Sequence, residues 1–197
     1  MTLVALSAAY GAGGSRIGPA LAERLGVSFL DRAIPLGAAG AVDKEATADA
    51  ADESFLERLL SGFAGMTAGG PAPIPAPDEF REQTERELLE HAAGGEGVVL
   101  GRAAVILLRE DPRVLRARLT GPEAARARQA AGLAGIGVDV AEEHRKRVDR
   151  AHAEYARRFY GVDLDDPQLY HLVLDTTAVG FDAAVDILER AVRALAV

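Results

Sequence analysis

Leu3-Val4-Ala5-Leu6-Ser7-Ala8-Ala9-Tyr10-Gly11-Ala12-Gly13-Gly14-Ser15-Arg16-Ile17 is the stretch on which the reading of this chain turns. Residues 2–8 are apolar and partly β-branched, the composition of a short buried strand. The glycines that follow break it. From Ser15 onward Ile17, Ala20, Leu21 and Leu25 recur at helical spacing, and Gly26 supplies a stop. Residues 27–30 read as a second strand closing on Asp31. Strand, glycine loop, helix and strand in this order open a parallel α/β sheet.

A glycine loop between a first strand and a helix turns successive backbone N–H groups inward, and the helix N-terminus adds its positive dipole end. Phosphate oxygens are then held with little help from side chains. The common phosphate-loop pattern is G-x-x-x-x-G-K-[ST], with the lysine on the β- and γ-phosphates and the hydroxyl on magnesium. Here the frame from Ala8 to Ser15 keeps the second glycine as Gly13 and the hydroxyl as Ser15. Ala8 replaces the first glycine and Gly14 replaces the lysine. The alternative is a glycine-rich turn that binds nothing. If the loop binds phosphate, its helix should begin within a residue or two of Ser15 and its amides should line an open concavity. Gly14 itself suggests a backbone of positive φ, which lysine adopts only at a cost of roughly 1 kcal/mol or more.

Outward from this opening, residues 43–64 and 79–92 read as helices. Between them, residues 69–78 carry four of the chain's nine prolines and read as an irregular loop. Residues 98–100 return to a buried strand ending at Gly101-Arg102, and a helix follows over 103–109. Residues 114–119 form the next strand, and a helix runs through Arg126 and Arg128 until glycines at 132–137 interrupt it. A long charged helix is expected over 140–159, a last strand over 172–175 and an amphipathic helix over 182–195.

The composition restricts the function classes. The 197 residues suit one domain, and 49% are hydrophobic, enough for a sizeable core. A formal charge of −8 argues against broad binding to nucleic acid or an anionic membrane. An anion site must therefore be a local basic pocket. With no cysteine the chain has neither disulfides nor thiolate chemistry, which fits a cytoplasmic protein. The N-terminus carries no signal-peptide pattern, and no apolar run approaches the roughly 20 residues needed to span a bilayer.

Phosphoryl transfer needs several arginines converging from different elements. Arg102 stands at the carboxyl end of a buried strand, where open α/β sheets bind ligands. Arg145, Asp149 and His152 fall at i, i+4 and i+7, on one face of the long helix. A solvated face with an ordinary Arg145–Asp149 pair explains the same spacing. The four histidines show no metal-ligand spacing.

Taken in order, these segments resemble the cytidylate kinase-like family. Tyr10-Gly11-Ala12-Gly13-Gly14 with Ile17-Gly18 is similar to a branch whose loop reads S-R-E-Y-G-S-G-G and itself lacks the lysine. Phe29-Leu30-Asp31, Val99-Leu100-Gly101-Arg102, Leu119-Thr120 with Glu123, Arg126 and Arg128, the run from Arg145 to His152, and Leu174-Asp175-Thr176-Thr177 resemble successive family segments. The resemblance implies an α/β three-layer P-loop NTPase fold with a parallel central sheet. Its core would be 1–36, 98–131 and 166–197, with a helical nucleoside-monophosphate-binding lobe at 37–97 and a lid at 132–165. It further implies ATP-dependent transfer to a nucleoside monophosphate, CMP or dCMP by default, with ATP and Mg2+ as cofactors. The implied partner is a nucleotide or another small-molecule phosphate acceptor, not nucleic acid or membrane.

On this reading Gly11, Ala12, Gly13, Gly14, Ser15, Arg16 and Arg126 hold ATP, and Ser15 also holds the magnesium ion. Asp31, Arg102, Asp149 and His152 contact the acceptor, while Arg145, Arg158 and Arg102 serve the transfer. Three family charges are missing: Gly14 replaces the lysine, Ala103 an acceptor-binding aspartate and His152 the second lid arginine. Ala8 also stands where that branch carries arginine. Each loss of a preorganised charge contact costs about 3–4 kcal/mol in a transition state. The alternative function is therefore a non-catalytic nucleotide-binding or regulatory protein on the same fold.

Overall fold

A computed structural model describes residues 3–31 and 77–195. The expected helix at 43–64 and most of the proline-rich loop lie outside the described residues. Strand β1 (Leu3–Ala8) leads through the glycine loop into α1 (Gly14–Leu25), and β2 (Phe29–Asp31) follows. After α2 (Pro77–Ala93) come β3 (Gly97–Leu100), α3 (Arg102–Leu107) and β4 (Val114–Thr120). Next are α4 (Glu123–Ala134) and α5 (Val138–Tyr160), then a 3-10 turn (Pro167–Leu169) and β5 (Leu172–Asp175). The short α6 (Thr176–Val179) and α7 (Phe181–Ala194) follow.

The five described strands are parallel, in the order β2-β3-β1-β4-β5. Because crossover helices cover both faces, β1 is apolar on both. Val4 and Leu6 pack with Ile17 and Leu21 of α1 and with Val185 and Leu188 of α7. Leu3 and Ala5 face Leu88 of α2, Val105 of α3 and Ala156 of α5. That is the continuous hydrophobic pattern of a sandwiched parallel strand. A third cluster lies beyond the sheet, where Tyr10 meets Ala130 and Ala131 of α4 and Val148 and Ala151 of α5.

Two local details refine the sequence reading. The break expected over 132–137 falls at Gly135, with φ 67°, and α4 runs through Gly132 to Ala134. A glycine inside an alanine-rich helix costs only about 1 kcal/mol, whereas a left-handed residue ends the helix outright. After β5 the chain forms α6 before α7. There the Asp175 side chain accepts from the amides of Thr177 at 2.9 Å and Ala178 at 3.2 Å, capping a turn that shows no apolar periodicity.

Candidate phosphate-binding loop and its arginine network

The helix after β1 packs on one face of the sheet and the helix after β3 on the other. Connections that diverge from adjacent strands open a crevice at the strands' carboxyl ends. The Gly101 amide donates to Leu6 O at 2.9 Å, pinning the end of β3 beside that of β1. Asp31, half-buried, pairs in register with Leu100, and Arg102 is the first residue of α3. The glycine loop, Asp31 and the Arg102 backbone thus share one rim.

The helix after the loop begins at Gly14, with Gly13 as its cap in the left-handed region. Both Gly11 and Gly13 have φ 74°. Gly14 is not among the positive-φ glycines, so its role is different from the one its sequence position suggested. A Cβ built at Gly14 would lie 2.6 Å from Ala8 Cβ and 3.1 Å from Leu100 Cδ1. The position is closed by close approach, not by backbone strain.

The loop is also less open than expected. Gly11, Ala12, Gly13 and Gly14 are buried, and only Ser15 and Arg16 reach the surface. The Arg126 carbonyl stands against Gly11 and the Phe181 ring against Gly13. Packing from α4 and α7 accounts for this burial. Even so, among the described residues no backbone carbonyl accepts from the amides of Gly11, Gly13, Gly14 or Ser15.

The arginines converge, but on the protein itself. Arg126 donates to Tyr10 O at 2.7 Å, to Gly121 O at 3.0 Å and to Asp149 Oδ2 at 2.9 Å. Asp149 Oδ1 accepts from the Tyr10 amide at 3.1 Å, and its other oxygen also receives Arg145 at 3.3 Å. Arg145, whose side chain is 6% exposed, pairs with Glu142 through two bonds of 2.9 and 2.8 Å and with Glu123 at 2.9 Å. Hydrogen bonding to Glu142 raises the guanidinium pKa, and the same bonds hold the Glu142 carboxyl below its usual range. Arg126 therefore fastens the loop to α4 and α5.

Asp149 and Arg145 do share a helix face with His152, which is buried. Arg158 does not join them. More than three turns of unbroken α5 separate it from Arg145, about 20 Å along the axis, so the two cannot clamp one phosphoryl group. Arg158 is exposed, with its guanidinium carbon 5.6 Å from the Phe159 ring centroid. Arg16 lies 5.7 Å over the Phe181 ring, the ring that covers Gly13.

Sequence reasoning missed Tyr10, Gln129, Thr176 and Phe181. Gln129 donates to Gly11 O and Thr176 to Ala12 O, each at 2.8 Å. The one signal for Gln129 is its i+3 spacing from Arg126 on α4. Among the described residues no cluster of three or more acidic or histidine side chains could hold a metal ion. None of their helices is long and apolar enough to cross a membrane.

Known proteins resemble this chain in sequence and in fold. A cytidylate kinase of Methanoculleus marisnigri is 33% identical over 82 residues, 42% of this chain and 45% of that protein. A cytidylate kinase of Methanopyrus kandleri is 29% identical over 121 residues, 57% of this chain and 63% of its own length. Each match thus spans less than two thirds of the relative. A solved but uncharacterised protein of Eubacterium ventriosum superposes with a TM-score of 0.69 at 14% identity, covering 98% of this chain and 99% of that one. A gluconokinase of Sinorhizobium meliloti superposes at 0.52 and 18% identity, over 98% and 95% of the two chains. At these identities the structures establish the three-layer P-loop kinase fold. The model of the cytidylate kinase-like family matches residues 3–178, and with the parallel sheet and glycine loop in place, the chain belongs to that family.

Proposed function

We propose that this chain is a cytoplasmic phosphotransferase that moves the γ-phosphoryl group of ATP to a nucleoside monophosphate, CMP or dCMP first among the candidates. The observation that carries this reading is the loop from Ala9 to Gly13. It leaves the central parallel strand at the crevice and enters α1 directly, and the amides of Gly11 and Gly13 within it, with those of Gly14 and Ser15 at the start of α1, have no backbone acceptor among the described residues. An acceptor phosphate oxygen would attack the γ-phosphorus in line, and ADP would leave. Backbone amides of Gly11, Gly13, Gly14 and Ser15 would hold the donor phosphates. The Ser15 hydroxyl, half-buried at the helix start, suits a magnesium ion whose other ligands are phosphate oxygens and water. The ion would neutralise charge on the phosphates. Arg102, at the rim, would meet the acceptor, and Asp31 stands beside it.

A second reading, a nucleotide-binding protein without turnover, is favoured by one observation. Arg145 is already held by Glu123, Glu142 and Asp149, so it reaches a phosphate only by exchanging these partners. Binding and transfer assays with ribo- and deoxynucleoside monophosphates, ATP and Mg2+ separate the two. Labelled diphosphate supports the transferase; ATP binding with no product from any acceptor supports the second reading.

A further inference from the structure

Three consecutive loop carbonyls are captured from outside the loop. Arg126 takes Tyr10 O at 2.7 Å, Gln129 takes Gly11 O at 2.8 Å, and Thr176 takes Ala12 O at 2.8 Å. No peptide in the described chain is cis. In a trans peptide the N–H points opposite to the C=O of the preceding residue. The amides of Gly11, Ala12 and Gly13 are therefore turned away from α4 and Thr176. Ala12 spends its amide on Ala9 O at 3.0 Å, closing the turn. Those of Gly11 and Gly13 remain, each at a glycine whose φ of 74° lets the chain turn its carbonyl outward. The capturing groups are themselves fixed. Arg126 is buried and anchored to Gly121 O and Asp149, and Thr176 is fully buried at the start of α6.

We infer that Arg126, Gln129 and Thr176 are positioning residues that hold the glycine loop with its amides inward, so that it binds a polyphosphate without a lysine at position 14. This rests on the phosphate-loop reading above. The physical reason is preorganisation. A lysine attracts phosphate through a charge that tolerates a loosely held loop, whereas amide dipoles act only when already aimed. With Gly14 in place of the lysine, loop conformation carries the affinity, and the residues that set it become affinity determinants without touching the ligand.

The test uses the full chain and inorganic tripolyphosphate, titrated calorimetrically, beside thermal melts. Thr176→Val keeps the branched shape and loses the donor, while Thr176→Ser keeps the hydroxyl. Gln129→Glu keeps the size and removes the donor at a half-buried site. We expect Thr176→Val and Gln129→Glu each to weaken tripolyphosphate at least about fivefold, the worth of one hydrogen bond. Thr176→Ser should bind within about twofold of wild type. If Thr176→Val does not fold, Gln129→Glu decides. Wild-type affinity in the donor-less variants overturns the inference, and so does a wild-type protein that binds no tripolyphosphate. Failure of the transferase reading looks different: tripolyphosphate binds, the variants weaken it, and no monophosphate is phosphorylated.

Discussion

Ala8 and Gly14 depart from the common phosphate-loop pattern in opposite directions, one gaining a methyl group and the other losing a side chain. Their packing makes the two departures one change. A Cβ at 14 would meet the Ala8 methyl at 2.6 Å, with the Leu100 side chain next at 3.1 Å. Leu100 is the end of a flexible side chain and can yield; the Ala8 methyl is fixed to the backbone of β1. Gly14→Lys alone should thus lower stability by about 1–3 kcal/mol through overpacking and weaken ATP. Ala8→Gly in that background removes the obstacle and should recover part of both losses. Melting and ATP titration of the four proteins of this cycle check the point; strictly additive effects would show that the two positions do not meet. The glycine string was legible in the sequence, but the reason for Gly14 was not, because Ala8 and Leu100 come from two strands whose adjacency no local pattern encodes.

At the scale of elements, α5 carries the arrangement that ties loop to helices. Its i, i+4, i+7 face was readable, as was the Arg145–Asp149 pair. Glu123 on α4 and the Tyr10 amide were not, since they arrive through tertiary packing. Asp149→Asn removes the charge that serves Tyr10, Arg126 and Arg145 together. It should cost roughly 1.5–3 kcal/mol, the range for hydrogen bonds to charged groups, measurable by urea unfolding. The pH dependence has a definite sign. The Arg145 bonds lower the Glu142 pKa from 4.5, so the stability this pair contributes is complete above pH 4.5 and is lost as pH falls through the folded value. Glu142→Gln should flatten the stability curve in that acid window and leave its slope unchanged near neutrality. An unaltered acid limb in the variant would remove Glu142 from the account.

For the whole molecule, the opening strand–loop–helix–strand announced a parallel sheet, and each described strand lies within a residue or two of its expected place. The order β2-β3-β1-β4-β5 was not legible, because crossover connections do not record which neighbour a strand chooses. That order makes the crevice, by setting β3 and Arg102 beside the loop. Arg102→Ala should weaken monophosphate binding by about 1.5–3 kcal/mol with little change in melting temperature. A large melting loss with unchanged binding would make Arg102 structural. Phosphoryl transfer across this crevice is decided by the fate of γ-labelled ATP. With Mg2+ and a panel of ribo- and deoxynucleoside monophosphates, the account predicts labelled diphosphate, greatest with CMP or dCMP. Label that stays in ATP with every acceptor, from a folded protein that binds ATP, would contradict it.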